Sequence, residues 1–131
     1  MKWGLFHHPE TPVYYKGRIC LLGDSAHASS PHQAAGAGQA LEDALIMSRL
    51  LGMVRDKKNL DVAFKVFDSI RRPRAQKVVT TSYEAGQIYI FRNPEIKDNM
   101  QKIVENGNAR LPWIWTHDLS ADGKISQSNI S

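Results

Sequence analysis

The chain has 131 residues, 42% of them hydrophobic and 23% charged, which is the balance of one globular domain with a buried core. Lys and Arg total 17 against 13 for Asp and Glu, and this small, scattered surplus of +4 argues against a nucleic-acid surface. No apolar run approaches the ~18–20 residues of a membrane span, and none near the N-terminus is long enough for a signal peptide. Cys20 is the single cysteine, so an internal disulfide is excluded and a reducing, cytoplasmic setting is expected.

Trp3, Leu5 and Phe6, followed by Pro9, Pro12 and Gly17, predict a short strand and a turn-rich loop. Residues 18–23, Arg-Ile-Cys-Leu-Leu-Gly, form a short apolar run bounded by glycines, the pattern of a fully buried strand with Cys20 inside it. From Asp24 to Gly38 no period is visible, and Gly, Pro, Ser and Ala predict an irregular loop with close backbone packing. A helical period follows from Gln39 to about Val54. Leu41, Ala44, Leu45, Ser48, Leu51 and Gly52 share one face, and Ile46, Leu50 and Met53 cover another. Only Glu42, Asp43 and Arg49 demand water there, so the helix is expected to be mostly buried.

Asn59 is placed to cap a second helix, with Leu60, Phe64, Phe67 and Ile70 on its inner face and Pro73 breaking or kinking it. Beyond the proline, Ala75, Val78, Val79, Ser82, Ala85, Gly86 and Tyr89 continue a helical stripe. Arg71, Arg72, Arg74 and Lys77 read as a solvated face. Asn93-Pro94-Glu95 predicts another helix start, with Ile96, Met100 and Ile103 as its stripe and Gly107 as its stop. Leu111 to Trp115 is an apolar, aromatic patch, and residues 120–131 form a polar tail expected to fray. One buried strand with four helical segments leaves that strand without pairing partners, which points to part of a larger fold.

The chemistry concentrates between Gly23 and Ala44. An apolar strand delivers Asp24 to its C-terminal end, where ligands of α/β sheets sit. An ionised carboxylate is acceptor-only and suits sugar-type hydroxyls. Gly23 lets the backbone turn and a ligand approach. Gly36 and Gly38 open a helix whose N-terminus presents unpaired amides and a partial charge of roughly +0.5.

This succession of strand, Gly23-Asp24, Ala26-His27, Pro31, Gly36-Ala37-Gly38-Gln39 and Glu42-Asp43-Ala44 resembles the second FAD motif of single-component aromatic hydroxylases of the salicylate hydroxylase type. The likeness continues through Arg71-Arg72-Pro73-Arg74, residues 82–86 and Trp113-Ile114-Trp115 with Asp118. It departs from the common family text at Ala34 and Ala35, where a glycine is frequent.

The resemblance implies an α+β fragment: short strands and a flavin-contacting loop, then a mainly helical C-terminal region of a larger, glutathione-reductase-like FAD-binding fold. Residues 1–38 would hold the strand and flavin loop, 39–118 the helical region and 119–131 a disordered tail. By resemblance, FAD is the cofactor and NAD(P)H its reductant. Asp24 would take a ribityl or ribose hydroxyl beside Gly23, and Pro31 would sit beside the isoalloxazine. The amides of Gly36, Ala37, Gly38 and Gln39 would face the pyrimidine end of that ring system. The cofactor carries the chemistry, so no residue is expected as acid, base or nucleophile.

The partner implied is a small aromatic substrate, not a nucleic acid or a membrane; oligomeric state is not implied. The family's N-terminal Gly-x-Gly-x-x-Gly unit and its substrate-shaping sheet domain have no counterpart in these residues, because Leu41 stands where the third glycine would be. The isolated chain is therefore expected to bind FAD weakly or not at all and to be inactive. The rival reading is a non-catalytic helical module that kept this core and acts through a protein partner.

No metal is expected, since His7, His8, His27, His32 and His117 match no standard spacing, and His27 reads as a structural hydrogen-bonding residue. Residues 118–126 imitate the start of a calcium loop, but its twelfth position is Asn129 instead of glutamate.

Overall fold

The computed structural model describes residues 4–122, so Trp3 and positions from 123 onward, including Asn129, lie outside the described residues. Residues 4–13 form neither helix nor strand, and Leu5 and Phe6, expected on a strand, are exposed. The chain then makes an antiparallel hairpin from β1 (Tyr15–Lys16) and β2 (Ile19–Cys20). Tyr15 stands opposite Cys20, and Lys16 opposite Ile19. Gly17 has φ +57°, the left-handed backbone that a two-residue hairpin turn demands and glycine adopts freely. The run expected as a fully buried strand is thus one edge of a two-stranded sheet. Ile19 is 70% exposed because, among the described residues, β1 is its only partner.

The loop expected from Asp24 to Gly38 is partly helical: α1 (Asp24–His27) and a 3-10 turn over Pro31–Gln33 interrupt it. α2 (Gly36–Met53) follows and buries Gln39, Asp43, Ile46, Met47 and Leu50. Leu41, Leu45 and Leu51, expected to pack inward together, are exposed instead. The face that α2 turns inward is chosen by α3 (Leu60–Tyr89), which carries the partner charges for Asp43.

α3 runs for 30 residues with Pro73 inside it, so of the expected break or kink the break does not occur. The proline removes one backbone donor, but side chains on both sides hold the helix in place: Arg71 and Arg74 are tied to α2, and Arg72 to Asp68 one turn back. Asn59 makes no capping bond; Asp56 instead caps the 3-10 turn Lys57–Asn59 by accepting from the Lys58 amide. Asn93 does accept from the Glu95 and Ile96 amides, but Lys97 at φ +49° ends that turn at once. The helix begins later as α4 (Met100–Arg110), capped by Asn99 and continuing through Gly107; α5 (Pro112–Trp115) follows, and residues 119–122, expected in a disordered tail, are helical.

The main core joins the hairpin to α2 and α3 through Tyr14, Ile46, Leu50 and Phe67. Tyr14 is fixed at both ends, its amide donating to Asp68 Oδ1 at 2.8 Å and its hydroxyl accepting from Gln76 at 2.9 Å. A second cluster of Ala35, Val78 and Ile114 seats α5 beside the start of α2.

Candidate functional site

Gly23 ends the strand segment with φ +57° and ψ −140°, a conformation open to glycine and strained for any side chain. A Cβ there would also stand 3.2 Å from that of Ala40, so the turn lies directly on the first turns of α2. The Gly23 amide donates to Asp43 Oδ2 at 2.9 Å, and its carbonyl accepts from the Ala26 and His27 amides at 2.9 and 3.0 Å. Asp24 is therefore pushed outward at the start of α1, exposed, with no hydrogen bond to its carboxylate among the described residues.

The start of α2 is equally open. No side chain caps it, Ala37 and Gly38 are exposed, and no Cβ at Gly38 would meet another atom within 4 Å. The amides of Gly36, Ala37 and Gly38 precede the first intrahelical donor, so they are free to bind an acceptor. Gln39 is different: its amide donates to Ala35 at 3.0 Å, and its side chain is buried between Arg71 and Glu42.

Pro31 is exposed on the intervening 3-10 turn. Behind it, Gln33 accepts from Ser82 at 3.1 Å through Oε1, while its buried Nε2 has no acceptor. Ala34, where the family often has glycine, sits at φ +51°. A left-handed alanine costs roughly 1–2 kcal/mol, so Ala34→Gly is expected to stabilise the chain by up to about 1 kcal/mol after the added unfolded-state freedom is subtracted. Urea denaturation of the two forms measures it.

Beneath this surface lies a buried charge network that local pattern did not reveal. Asp43, expected to face water, is 0% exposed, and so is Arg71, expected on a solvated face. Asp43 Oδ2 lies 2.6 Å from His27 Nε2, and its Oδ1 accepts from Arg71 Nε at 2.8 Å. Arg71 also donates to Glu42 at 2.6 Å and to the Gln39 side chain at 2.9 Å. Arg74 grips Glu42 at 2.7 and 2.8 Å and donates to the carbonyls of Trp113 and Ile114, which locks α5 to the same cluster.

Burial alone would raise the Asp43 carboxyl, but hydrogen bonds from His27, the Gly23 amide and Arg71 outweigh it and hold it below its ordinary value. Glu42 is likewise lowered: burial opposes, and the bonds and charges of Arg74 and Arg71 win. The network thus ties the Gly23 turn, the first turns of α2 and the middle of α3 into one unit. Its sequence signal was Glu42 and Asp43 inside a largely apolar helix, matched by Arg71 and Arg74 in another.

The His27 expectation, a structural hydrogen-bonding residue, is met by its bond to Asp43. Burial first, with Asp43 and Asp68 nearby, pushes the Cys20 thiol up to about 11, so it stays protonated and unreactive. No group of three metal-capable side chains occurs among the described residues. No helix among them is long and apolar enough to cross a membrane.

The family model described as FAD binding domain matches residues 7–82. A salicylate hydroxylase of Pseudomonas putida is 47% identical over 92% of this chain and 28% of its own length. An FAD-dependent monooxygenase of Gibberella moniliformis (strain M3125 / FGSC 7600) is 43% identical over 99% of this chain and 32% of its own. Among solved structures, a salicylate hydroxylase substrate complex superposes with a TM-score of 0.85 at 42% identity, covering 89% of this chain and 29% of that one. The chain thus spans about a third of the length of the relatives it matches. It belongs to the FAD-binding domain family, whose cofactor is FAD, as a relative of the salicylate hydroxylase-like monooxygenases.

Proposed function

We propose that this chain supplies the flavin-contacting part of an NAD(P)H-dependent monooxygenase that hydroxylates a small aromatic substrate such as salicylate. One observation carries the reading: an uncapped, glycine-lined helix N-terminus packed against the turn that presents an unpartnered Asp24. The residues fit the cofactor. Asp24 offers an acceptor for sugar-type hydroxyls, and the amides of Gly36, Ala37 and Gly38 offer donors with the positive end of α2 behind them. The buried Nε2 of Gln33 is a further donor in the same loop that still lacks an acceptor.

When bound and reduced by NAD(P)H, FAD supplies the activation of dioxygen for ring hydroxylation. The chain's own part is to orient the flavin and to stabilise negative charge at its pyrimidine end through the α2 amides. Gln39 helps indirectly, since its buried side chain fixes the helix start to Arg71.

The exposed apolar face of α2, with Leu41 at 73% and Leu51 at 42%, supports a larger glutathione-reductase-like fold in which further chain covers it. An apolar cleft of about 480 Å³ along the hairpin, lined by Val13, Tyr15, Ile19 and Leu21, supports the same reading. The chain alone is expected to bind FAD weakly, to oxidise neither NADH nor NADPH, and to self-associate through the β2 edge and the Trp115 side chain, which is 71% exposed.

A chimera tests the proposal: this chain replaces the matched segment of the Pseudomonas putida salicylate hydroxylase. The purified chimera is expected to carry bound flavin, seen by its visible absorbance. Asp24→Ala is expected to weaken FAD binding about tenfold to a hundredfold, the loss of one or two hydrogen bonds to a charged acceptor. Unchanged FAD affinity in Asp24→Ala would falsify the assignment. NADH or NADPH turnover by the 131-residue chain alone would overturn the incomplete-site reading.

A further inference from the structure

We infer that Asp43 and His27 are positioning residues for the flavin, fixing through one shared carboxylate oxygen how far Asp24 stands from the amides of Gly36, Ala37 and Gly38. This rests on the flavin reading above and adds to it two residues that act on the cofactor without touching it. Asp43 is 0% exposed and His27 2%, so neither reaches a ligand on the surface.

The two halves of the proposed site lie on separate pieces of chain. Asp24 opens α1, a four-residue turn too short to hold its own shape. The amides of Gly36 to Gly38 open α2, and a 3-10 turn stands between. Among the described residues, both hydrogen bonds from the 23–27 turn to α2 end on Asp43 Oδ2. The Gly23 amide donates to that oxygen at 2.9 Å, and His27 Nε2 lies 2.6 Å from it. An ionised carboxylate only accepts, so Nε2 carries the proton. Gly23 precedes Asp24 and His27 ends the same turn, so the two bonds grip the chain on either side of the acid. Thr11 and His8 also hold this segment, but at its far end, through the carbonyls of Ala26 and Ala28. The Ser25 hydroxyl bonds only to Leu22, within the segment.

The other end of the link is equally fixed. Asp43 Oδ1 accepts from Arg71 Nε at 2.8 Å, which sets the rotation of the carboxylate. The same guanidinium holds the Gln39 side chain, one turn nearer the helix mouth. From Asp43 back to Gly36 is about two turns, or roughly 10 Å along the axis of a rigid helix. Donors converge on both oxygens of Asp43, an arrangement that a carboxylate accepts and a carboxamide cannot.

The chimera described above carries the test, with FAD affinity read from the quenching of flavin fluorescence. His27→Leu removes one bond to Oδ2 and is expected to weaken FAD about threefold to tenfold. His27→Gln, whose Nε2 can donate to the same oxygen, is expected to restore affinity to within about twofold. In an Asp24→Ala background, His27→Leu is expected to change FAD affinity less than about twofold, because no acid remains to be positioned. A residue that only stabilised the fold would lower affinity by the same factor in both backgrounds. Asp43→Asn is the second variant: its carbonyl stays with Arg71, and its amide then faces the Gly23 N–H, donor against donor. In the 131-residue chain, the Gly23 amide of Asp43→Asn is expected to exchange with deuterium about tenfold faster, relative to the Phe67 amide in the core. Equal losses from His27→Leu in both backgrounds, no rescue by glutamine, or an unchanged Gly23 rate would overturn the inference. A chimera that loses FAD affinity on Asp24→Ala but keeps it on His27→Leu removes the positioning role and leaves the flavin reading standing. Unchanged affinity on Asp24→Ala removes both.

Discussion

Asp43→Ala is expected to leave the chain without a cooperative unfolding transition at 25 °C. The substitution removes the acceptor shared by the Gly23 amide, His27 and Arg71. It therefore leaves the Nε of the fully buried Arg71, the His27 imidazole and the Gly23 amide without their acceptor, while Glu42 and Gln39 still hold the rest of the guanidinium. Removing one partner of a buried ion pair typically costs about 3–5 kcal/mol, and a domain's whole stability is about 5–15 kcal/mol. A chain with an exposed apolar helix face belongs at the low end of that range. Urea titration followed by far-ultraviolet circular dichroism measures the effect. The companion variant Arg71→Met should lose about as much, and the double variant less than the sum, because the bond between the two side chains is lost only once. Additive losses would mean that the two side chains do not act as a pair.

Acid is expected to unfold the chain through the same network. The folded-state pKa values of Asp43 and Glu42 both lie below those of the unfolded chain. Groups lowered in this way stabilise the fold fully above their unfolded values and lose that contribution as pH falls through the folded ones. Stability should thus be nearly level from pH 7 to about 5, then fall steeply below about pH 4.5, where free carboxylates begin to protonate. Melting temperatures recorded from pH 7 to 3 check this. Glu42→Gln, whose carboxylate retains slight solvent contact, should flatten the acid limb while lowering the plateau. A melting temperature that held constant to pH 3 would show that these carboxylates contribute no linked stability.

The rival reading of a helical module acting through a partner shares the buried network, so neither result above separates the two. The chimera does. A module that had abandoned the flavin would fold in the chimera and return it without bound FAD.

What was legible in the sequence was the local text of the Gly23–Ala44 segment. Gly23-Asp24, the small-residue loop, Gly36 and Gly38 at a helix mouth, and the family these residues resemble all lie within about twenty positions. Their roles follow from backbone conformation and from what a strand end or helix start leaves unpaired. The stripe from Ala75 to Gly86 was legible too, because helical period alone fixes which side chains share a face.

Only the tertiary structure decided which face each helix buries and where its charges go. Apolar period gave α2 two apolar faces; the one with Ile46 and Leu50 is buried, together with Gln39 and Asp43, while Leu41, Leu45 and Leu51 are exposed. A carboxylate is buried only where opposite charge and hydrogen bonds replace water, and Arg71 stands 28 positions away on another helix. The same distant anchoring carried α3 through Pro73, where the local rule expected a break or a kink. The helix start at Asn59 was placed correctly, although its side chain makes no capping bond; the start at Asn93 failed because a cap residue marks a possible start, and the next few backbone angles decide whether a helix follows.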